Sequence, residues 1–283
     1  ALVRSGALRE MARWHGVPYV IRPLGTLSAY GVEQRRPLLK RLSLILLENR
    51  LLEGAAAVHF TSEAEWQEAR SLRVPMRGAV VPLGVAPAAP GDPAELLRDY
   101  PPIRGRRVLL FLSRLDPKKN LEALIDAFAA SPGLRAKAVL LVAGSGEQGY
   151  VAGLQARACS AGVADLVVWL GHVEGARKAA AFAAADVFVL PSLSENFGMA
   201  AAEALQAGLP CVLGRGIAIA AEVEAAGAGL AIEPGRDAIG EALTGLLGDE
   251  PRRVAMGRAA CVLAATEYSL AAMTERLVAL YQI

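Results

Sequence analysis

The chain has 283 residues, 54% of them hydrophobic and 20% charged, with 30 Lys and Arg against 28 Asp and Glu for a formal charge of +2. This balance excludes a disordered or low-complexity protein and gives no acidic or basic tail of the kind that binds nucleic acid. The length suits two domains, because single cores stop growing at roughly 250 to 300 residues. Short apolar runs alternate with amphipathic stretches rich in Ala and Leu, which predicts α/β architecture with parallel sheets covered on both faces. In chain order the predicted strands are Tyr19 to Arg22, Ala57 to Thr61, Gly78 to Pro82, Val108 to Ser113, Ala138 to Ala143, Leu166 to Leu170, Val187 to Pro191, Pro210 to Leu213 and Gly229 to Ile232.

Between Val85 and Arg107 the pattern breaks at Pro87, Pro90, Pro93, Pro101 and Pro102. This stretch, 85–107, is expected to be a linker. It separates a first lobe, 1–84, from a second, 108–265, and the helically spaced Leu270, Met273, Leu277 and Leu280 predict a last helix within 266–283, which follows the second sheet and has the first lobe as an alternative packing partner. Three strands are few for a covered sheet, so the first lobe is expected to be incomplete by at least one βαβ unit.

No apolar run reaches the 18 or more residues of a membrane span. Arg35, Arg36, Lys40 and Arg41 beside the apolar stretch Leu42 to Leu47 form either the solvated start of a core helix or a membrane-surface helix. Cys159, Cys211 and Cys261 are far apart and read as reduced cytosolic thiols, and His15, His59 and His172 are equally scattered, so no metal site is expected.

Two segments carry chemistry. In Ser113-Arg114-Leu115-Asp116-Pro117-Lys118-Lys119-Asn120, Asp116 suits an N-cap and Pro117 the first helical position. Three cations there oppose the helix dipole, and a bound anion resolves the conflict; solvated surface charge is the alternative. In Pro191-Ser192-Leu193-Ser194-Glu195-Asn196-Phe197-Gly198-Met199 a strand gives way to a loop and a helix starts near Gly198, with Glu203 one turn after Met199 on the same face. Helical side chains lean toward the N-terminus, so Glu203 can reach a ligand at the helix start, and carboxylates accept hydrogen bonds from sugar hydroxyls. The alternative is an exposed glutamate on an Ala-rich helix.

A rival reading starts from Gly144-Ser145-Gly146-Glu147-Gln148-Gly149, which fits G-x-G-x-x-G after a strand and points to an NAD-dependent oxidoreductase. Asp165 lies 21 residues beyond Gly144 but precedes its strand, which puts its carboxylate at the wrong end of the sheet.

Taken together, the run Arg114 to Asn120, the Gly171-His172-Val173 turn, the Pro191 to Glu203 block and Ala207-Gly208-Leu209-Pro210 resemble the donor domain of glycosyltransferase family 4, of the GT-B fold. The resemblance spans essentially the whole chain and is strongest from 108 to 235. It implies two Rossmann-like lobes whose parallel sheets face a cleft, and a retaining transfer of a hexose-type sugar from a nucleotide-diphosphate donor to a glycan, lipid or small-molecule acceptor in polysaccharide or glycoconjugate synthesis. Carried over residue by residue, it implies that Arg114 and Lys119 hold the donor diphosphate, that Glu195 contacts the transferred sugar and that Glu203 binds the ribose. Asn196, Phe197, Gly198 and Met199 would offer backbone amides, Val173 would meet the base through its main chain, and Lys178 would sit near the phosphates. The family segment with a cleft histidine has Leu24 here, so no such histidine is expected. The partners implied are a nucleotide-sugar donor and a sugar-containing or lipid-linked acceptor, without cofactor, metal or nucleic acid, in the cytoplasm or peripherally at the inner face of the membrane. A nucleotide-sugar-binding remnant without turnover is the alternative.

Overall fold

A computed structural model describes residues 2–23, 49–72 and 74–282. Leu24, the basic cluster 35–41 and the apolar stretch 42–47 lie outside the described residues. The chain divides into two units, one comprising residues up to Gly84 together with those from Leu270 onward, the other running from Val85 to Ser269.

The first unit contains α1 (Leu2–Trp14), β1 (Val20–Ile21), α2 (Asn49–Glu53), β2 (Ala57–Phe60), α3 (Glu63–Ser71) and β3 (Gly78–Val80). Its described strands form a parallel sheet in the order β1-β2-β3. Strand β2 is buried along its whole length, including His59, whose Nε2 donates to the Val81 carbonyl at 2.8 Å. Helix α3 starts on a reciprocal cap: the Ser62 hydroxyl accepts from the Glu65 amide at 3.1 Å, while the Glu65 carboxylate accepts from the Thr61 amide and hydroxyl. The hydroxyls of Thr61 and Ser62 are thereby used locally.

The second unit contains α4 (Ala94–Asp99), β4 (Arg107–Leu112), α5 (Leu121–Ala130), α6 (Pro132–Lys137), β5 (Ala138–Ala143), α7 (Gln148–Ser160), β6 (Val167–Gly171), α8 (Gly175–Ala184), β7 (Val187–Leu190), α9 (Met199–Gln206), β8 (Cys211–Gly214), α10 (Ala220–Ala225), β9 (Gly229–Ile232), α11 (Arg236–Gly248) and α12 (Glu250–Glu267). Its six strands are parallel in the order β6-β5-β4-β7-β8-β9. Buried parallel strands read as continuous apolar runs, and Leu109, Leu110, Phe111, Val139, Leu140 and Leu141 are all fully buried. Each such side chain stabilises the fold by roughly 1.5–3 kcal/mol. Helix α5 covers the sheet with Leu121, Leu124, Ile125 and Phe128, an i, i+3, i+4, i+7 stripe of zero exposure.

The expected linker is instead part of the second unit. Within 85–107 the chain forms α4 and a 3-10 turn, Pro101–Ile103, and buries Leu96 and Ile103. Gly91 passes so close to α8 that a Cβ there would sit 2.1 Å from the Ala179 carbonyl oxygen. The prolines interrupt regular structure because they lack an amide donor, but Leu96 between them and Ile103 just after them still pack into the unit. The second unit also extends past 265, through the fully buried Tyr268 to Ser269.

Helix α13 (Leu270–Tyr281) belongs to the first unit. Leu280 joins Ala57 and Val81 in one cluster, with Met273, Leu277, Val20 and Ala79 packed against it.

Candidate active site

The strand order places a switch point between β4 and β7: the chain winds outward from β4 to β6 in one direction and from β7 to β9 in the other. In open parallel sheets, ligands bind beyond the carboxyl ends of the strands at such a point. The two segments singled out above are the loops that leave β4 and β7.

The loop after β4 departs from expectation. Asp116 does cap, its carboxylate accepting from the Lys118 amide at 3.0 Å, and Pro117 follows, but the capped element is a single 3-10 turn, Pro117–Lys119. Asn120 then adopts the left-handed conformation, φ 57° and ψ 39°, and the α-helix starts only at Leu121. This break separates the three cations. Arg114 and Lys118 are exposed, whereas Lys119 is 8% exposed and its Nζ donates to Oε1 of Glu195.

The loop after β7 is held from several sides. The buried Ser192 hydroxyl donates to the Lys118 carbonyl at 3.0 Å and lies 3.4 Å from Glu195 Oε1, and the Leu193 amide donates to the same carbonyl at 2.8 Å. Glu195 is fixed through its backbone to the loop after β8, with its amide donating to Gly216 and its carbonyl accepting from Ala218. That approach needs glycine: a Cβ at Gly216 would lie 2.0 Å from the Leu193 carbonyl oxygen. Gly198, at φ 104°, turns the chain into α9, while Asn196 and Met199 are exposed and Phe197 is buried. The Phe197 ring meets Tyr268 edge-on, centroids 5.6 Å apart, and the Tyr268 hydroxyl donates to Glu222 at 2.5 Å.

A second ion pair joins neighbouring helices. Lys178 of α8 donates to Glu203 of α9 at 2.6 Å, and both line a pocket of about 400 Å³ walled also by Phe182, Ala86, Pro87 and Gly91. Val173 is buried on the turn after β6, where Gly171 takes φ 67°. Four of the ten candidate residues therefore form two contacting pairs, Lys119 with Glu195 and Lys178 with Glu203. Ser192 and Asn120 lie in the two segments singled out from the sequence but were given no role there, and the 86–91 wall was missed; the available signal for the wall was a glycine, Gly91, within a proline-rich string.

The glycine-rich segment after β5 has another use. Glu147 caps α7 itself, accepting from the Gly149 and Tyr150 amides at 2.9 and 2.8 Å, which lowers its pKa and places an anion where a dinucleotide pyrophosphate would need those donors. Gly144 and Gly146 serve close backbone contact, with Cβ positions 1.8 Å from Ser113 O and 2.2 Å from Leu115 O. Asp165 lies in the 3-10 turn before β6, at the opposite end of the sheet. The oxidoreductase reading has no site here.

The model of the family described as glycosyl transferases group 1 matches residues 94–261, and that of the glycosyl transferase 4-like domain matches residues 2–84. The chain belongs to the glycosyl transferases group 1. Among curated relatives in the family, a D-inositol 3-phosphate glycosyltransferase of Actinosynnema mirum is 38% identical over 151 residues, 49% of this chain and 35% of that protein. A protein of the same name from Pseudarthrobacter chlorophenolicus is 29% identical over 273 residues, 90% of this chain and 63% of that protein. The chain thus spans about a third of the first relative's length and less than two thirds of the second's. Anabaena HepE, solved in complex with UDP, superposes over 99% of this chain and 76% of its own with TM-score 0.84 at 20% identity. Sucrose-phosphate synthase from Thermosynechococcus elongatus covers 96% of this chain, and is covered over 69% of its own, with TM-score 0.79 at 22% identity. These likenesses establish the GT-B fold of the family.

Proposed function

We propose that this chain carries out retaining transfer of a hexose-type sugar from a nucleoside-diphosphate donor to a hydroxyl-bearing acceptor, without a metal or cofactor. The observation that carries the reading is the juxtaposition, at the β4/β7 switch point of a family member, of Lys119 with Glu195 beside the amides that open α9. As the sugar leaves, its anomeric carbon becomes oxocarbenium-like and negative charge grows on the leaving phosphate oxygen. Arg114, Lys119 and the amides around Gly198 stabilise that charge, an electrostatic contribution usually larger than proton transfer. Glu195 receives the sugar hydroxyls and Glu203 the ribose, with Lys178 beside it near the phosphates. The leaving phosphate takes the acceptor's proton, so a dedicated base is unnecessary.

The HepE complexes with UDP and UDP-glucose support UDP-glucose as the first donor to try, and the relatives named D-inositol 3-phosphate glycosyltransferase support a polyol phosphate as the first acceptor. The reading carries a cytoplasmic location, with a lipid-linked acceptor met at the inner face of the membrane as the alternative to a soluble one. No helix among the described residues is long and apolar enough to cross a membrane.

The test is a thermal-shift panel of UDP-, GDP- and ADP-sugars followed by transfer assays with the donor that binds. A ligand at 100 times its dissociation constant stabilises by about 2.7 kcal/mol. No shift with any nucleotide sugar would sink the reading, and binding without transfer to any acceptor would reduce the chain to a binding remnant.

A further inference from the structure

Asn120 is the non-glycine residue at positive φ among the described residues. Glycine would serve that backbone with less strain, so what asparagine adds is its side-chain amide. Nδ2 donates to the Pro234 carbonyl at 2.7 Å and the Pro191 carbonyl at 3.3 Å, one N–H for each acceptor. These carbonyls open the loops that follow β9 and β7, so one amide ties both to the loop after β4.

The position in the chain gives this tie its importance. Asn120 follows Lys119 directly, and the residue on the other side, Lys118, offers its carbonyl to Ser192 and Leu193. Lys119 is therefore flanked by two ties to the loop that carries Glu195, the Lys118 carbonyl before it and the Asn120 side-chain amide after it. A lysine side chain has four rotatable bonds, and its ammonium reaches a defined point only if its Cα is held. We propose that Asn120 is a positioning residue: its amide sets the Lys119 ammonium in register with Glu195 and so with the donor diphosphate. This rests on the functional reading above, in which Lys119 meets that diphosphate.

The experiment is titration calorimetry on the full chain, using whichever of UDP, GDP and ADP the parent binds most tightly, with Asn120→Gly, Lys119→Ala and the double variant. Asn120→Gly keeps the left-handed backbone and removes both donors. It is expected to weaken binding about tenfold, with the thermal midpoint shifted by only a few degrees. In the Lys119→Ala background it should add nothing, because the group it positions is gone. Asn120→Asp, close in shape but unable to donate, is a second variant expected to show the same loss. Parental affinity in Asn120→Gly, or an equal loss in both backgrounds, overturns the inference and leaves the functional reading standing. A parent that binds none of the three nucleotides overturns that reading, and the inference falls with it.

Discussion

Lys178 and Glu203 meet across 2.6 Å from adjacent helices, and each is close to 30% exposed. An ion pair so accessible contributes little to stability, so a change at Glu203 reports on ligand binding more than on folding. Glu203→Ala is expected to raise the donor KM by roughly ten- to a hundredfold, the effect of losing an ionic hydrogen bond of about 1.5–3 kcal/mol. Turnover should change little, because a ribose contact is the same in the ground and transition states. Steady-state kinetics check this, and an unchanged KM would remove Glu203 from the ribose.

Arg114 should behave in the opposite way. It is exposed at the carboxyl end of β4, where the reading puts the leaving phosphate. Charge on that phosphate rises during reaction, so Arg114→Ala is expected to lower turnover about tenfold or more with donor saturating. Parental turnover in this variant would show that the guanidinium does not face the leaving group.

Binding of a nucleoside diphosphate should be equal with and without a chelator. Arg114 and Lys119 supply countercharge, and the described residues contain no group of three or more His, Cys, Asp or Glu that could hold a metal ion. Calorimetry in EDTA, then with added magnesium or manganese, decides the matter: binding that vanishes in EDTA and returns with the metal contradicts the proposed mechanism.

Gly144→Ala tests the structural role of the glycine-rich segment. At φ 146°, with a Cβ 1.8 Å from the Ser113 carbonyl oxygen, the substitution must move the loop after β4. A loss of about 1–3 kcal/mol is expected, which corresponds to a thermal midpoint lower by roughly 2–12 °C for a unit of this size. A midpoint equal to the parent's would mean that the loops can separate freely.

His59 makes the first unit sensitive to acid. Burial lowers its pKa from 6.5, with Arg22 adding to the lowering, against opposing effects of the Val81 carbonyl and Glu65. Below pH 6.5 the unfolded chain therefore binds a proton that the folded unit resists, and stability is lost as pH falls through that value. Urea titrations at pH 7.5 and 5.5 should show a lower midpoint at 5.5, and His59→Asn should flatten that difference. An equal drop in the variant would assign the pH dependence elsewhere.

The strands were legible because both sheet faces are buried, so Val108 to Leu112 and Ala138 to Ala143 stand out as apolar runs without reference to anything distant. The candidate loops were legible for the related reason that they follow two such runs, Val108 to Leu112 and Val187 to Leu190. Pairing was not. Lys119 and Glu195 are 76 residues apart and meet only because β4 and β7 are neighbours, a non-local outcome of strand order. The left-handed Asn120 was hidden as well, since Asp116-Pro117 signals a helix start equally well for one 3-10 turn or an α-helix. In the 85–107 stretch the prolines outweighed Leu96 and Ile103, although the apolar residues decide where a segment packs.

The return of α13 to the first sheet has a consequence for synthesis. Domains fold largely as the chain emerges, those nearer the amino terminus first. Here the residues up to Gly84 leave the ribosome with the apolar surface of Ala57, Ala79 and Val81 uncovered, and the helix that covers it arrives only after Val85 to Ser269 has passed. The later-made unit is contiguous and can close on itself at once. The earlier-made residues gain this contact last, and over that interval Ala57, Ala79 and Val81 are expected to be without the cover that α13 gives them.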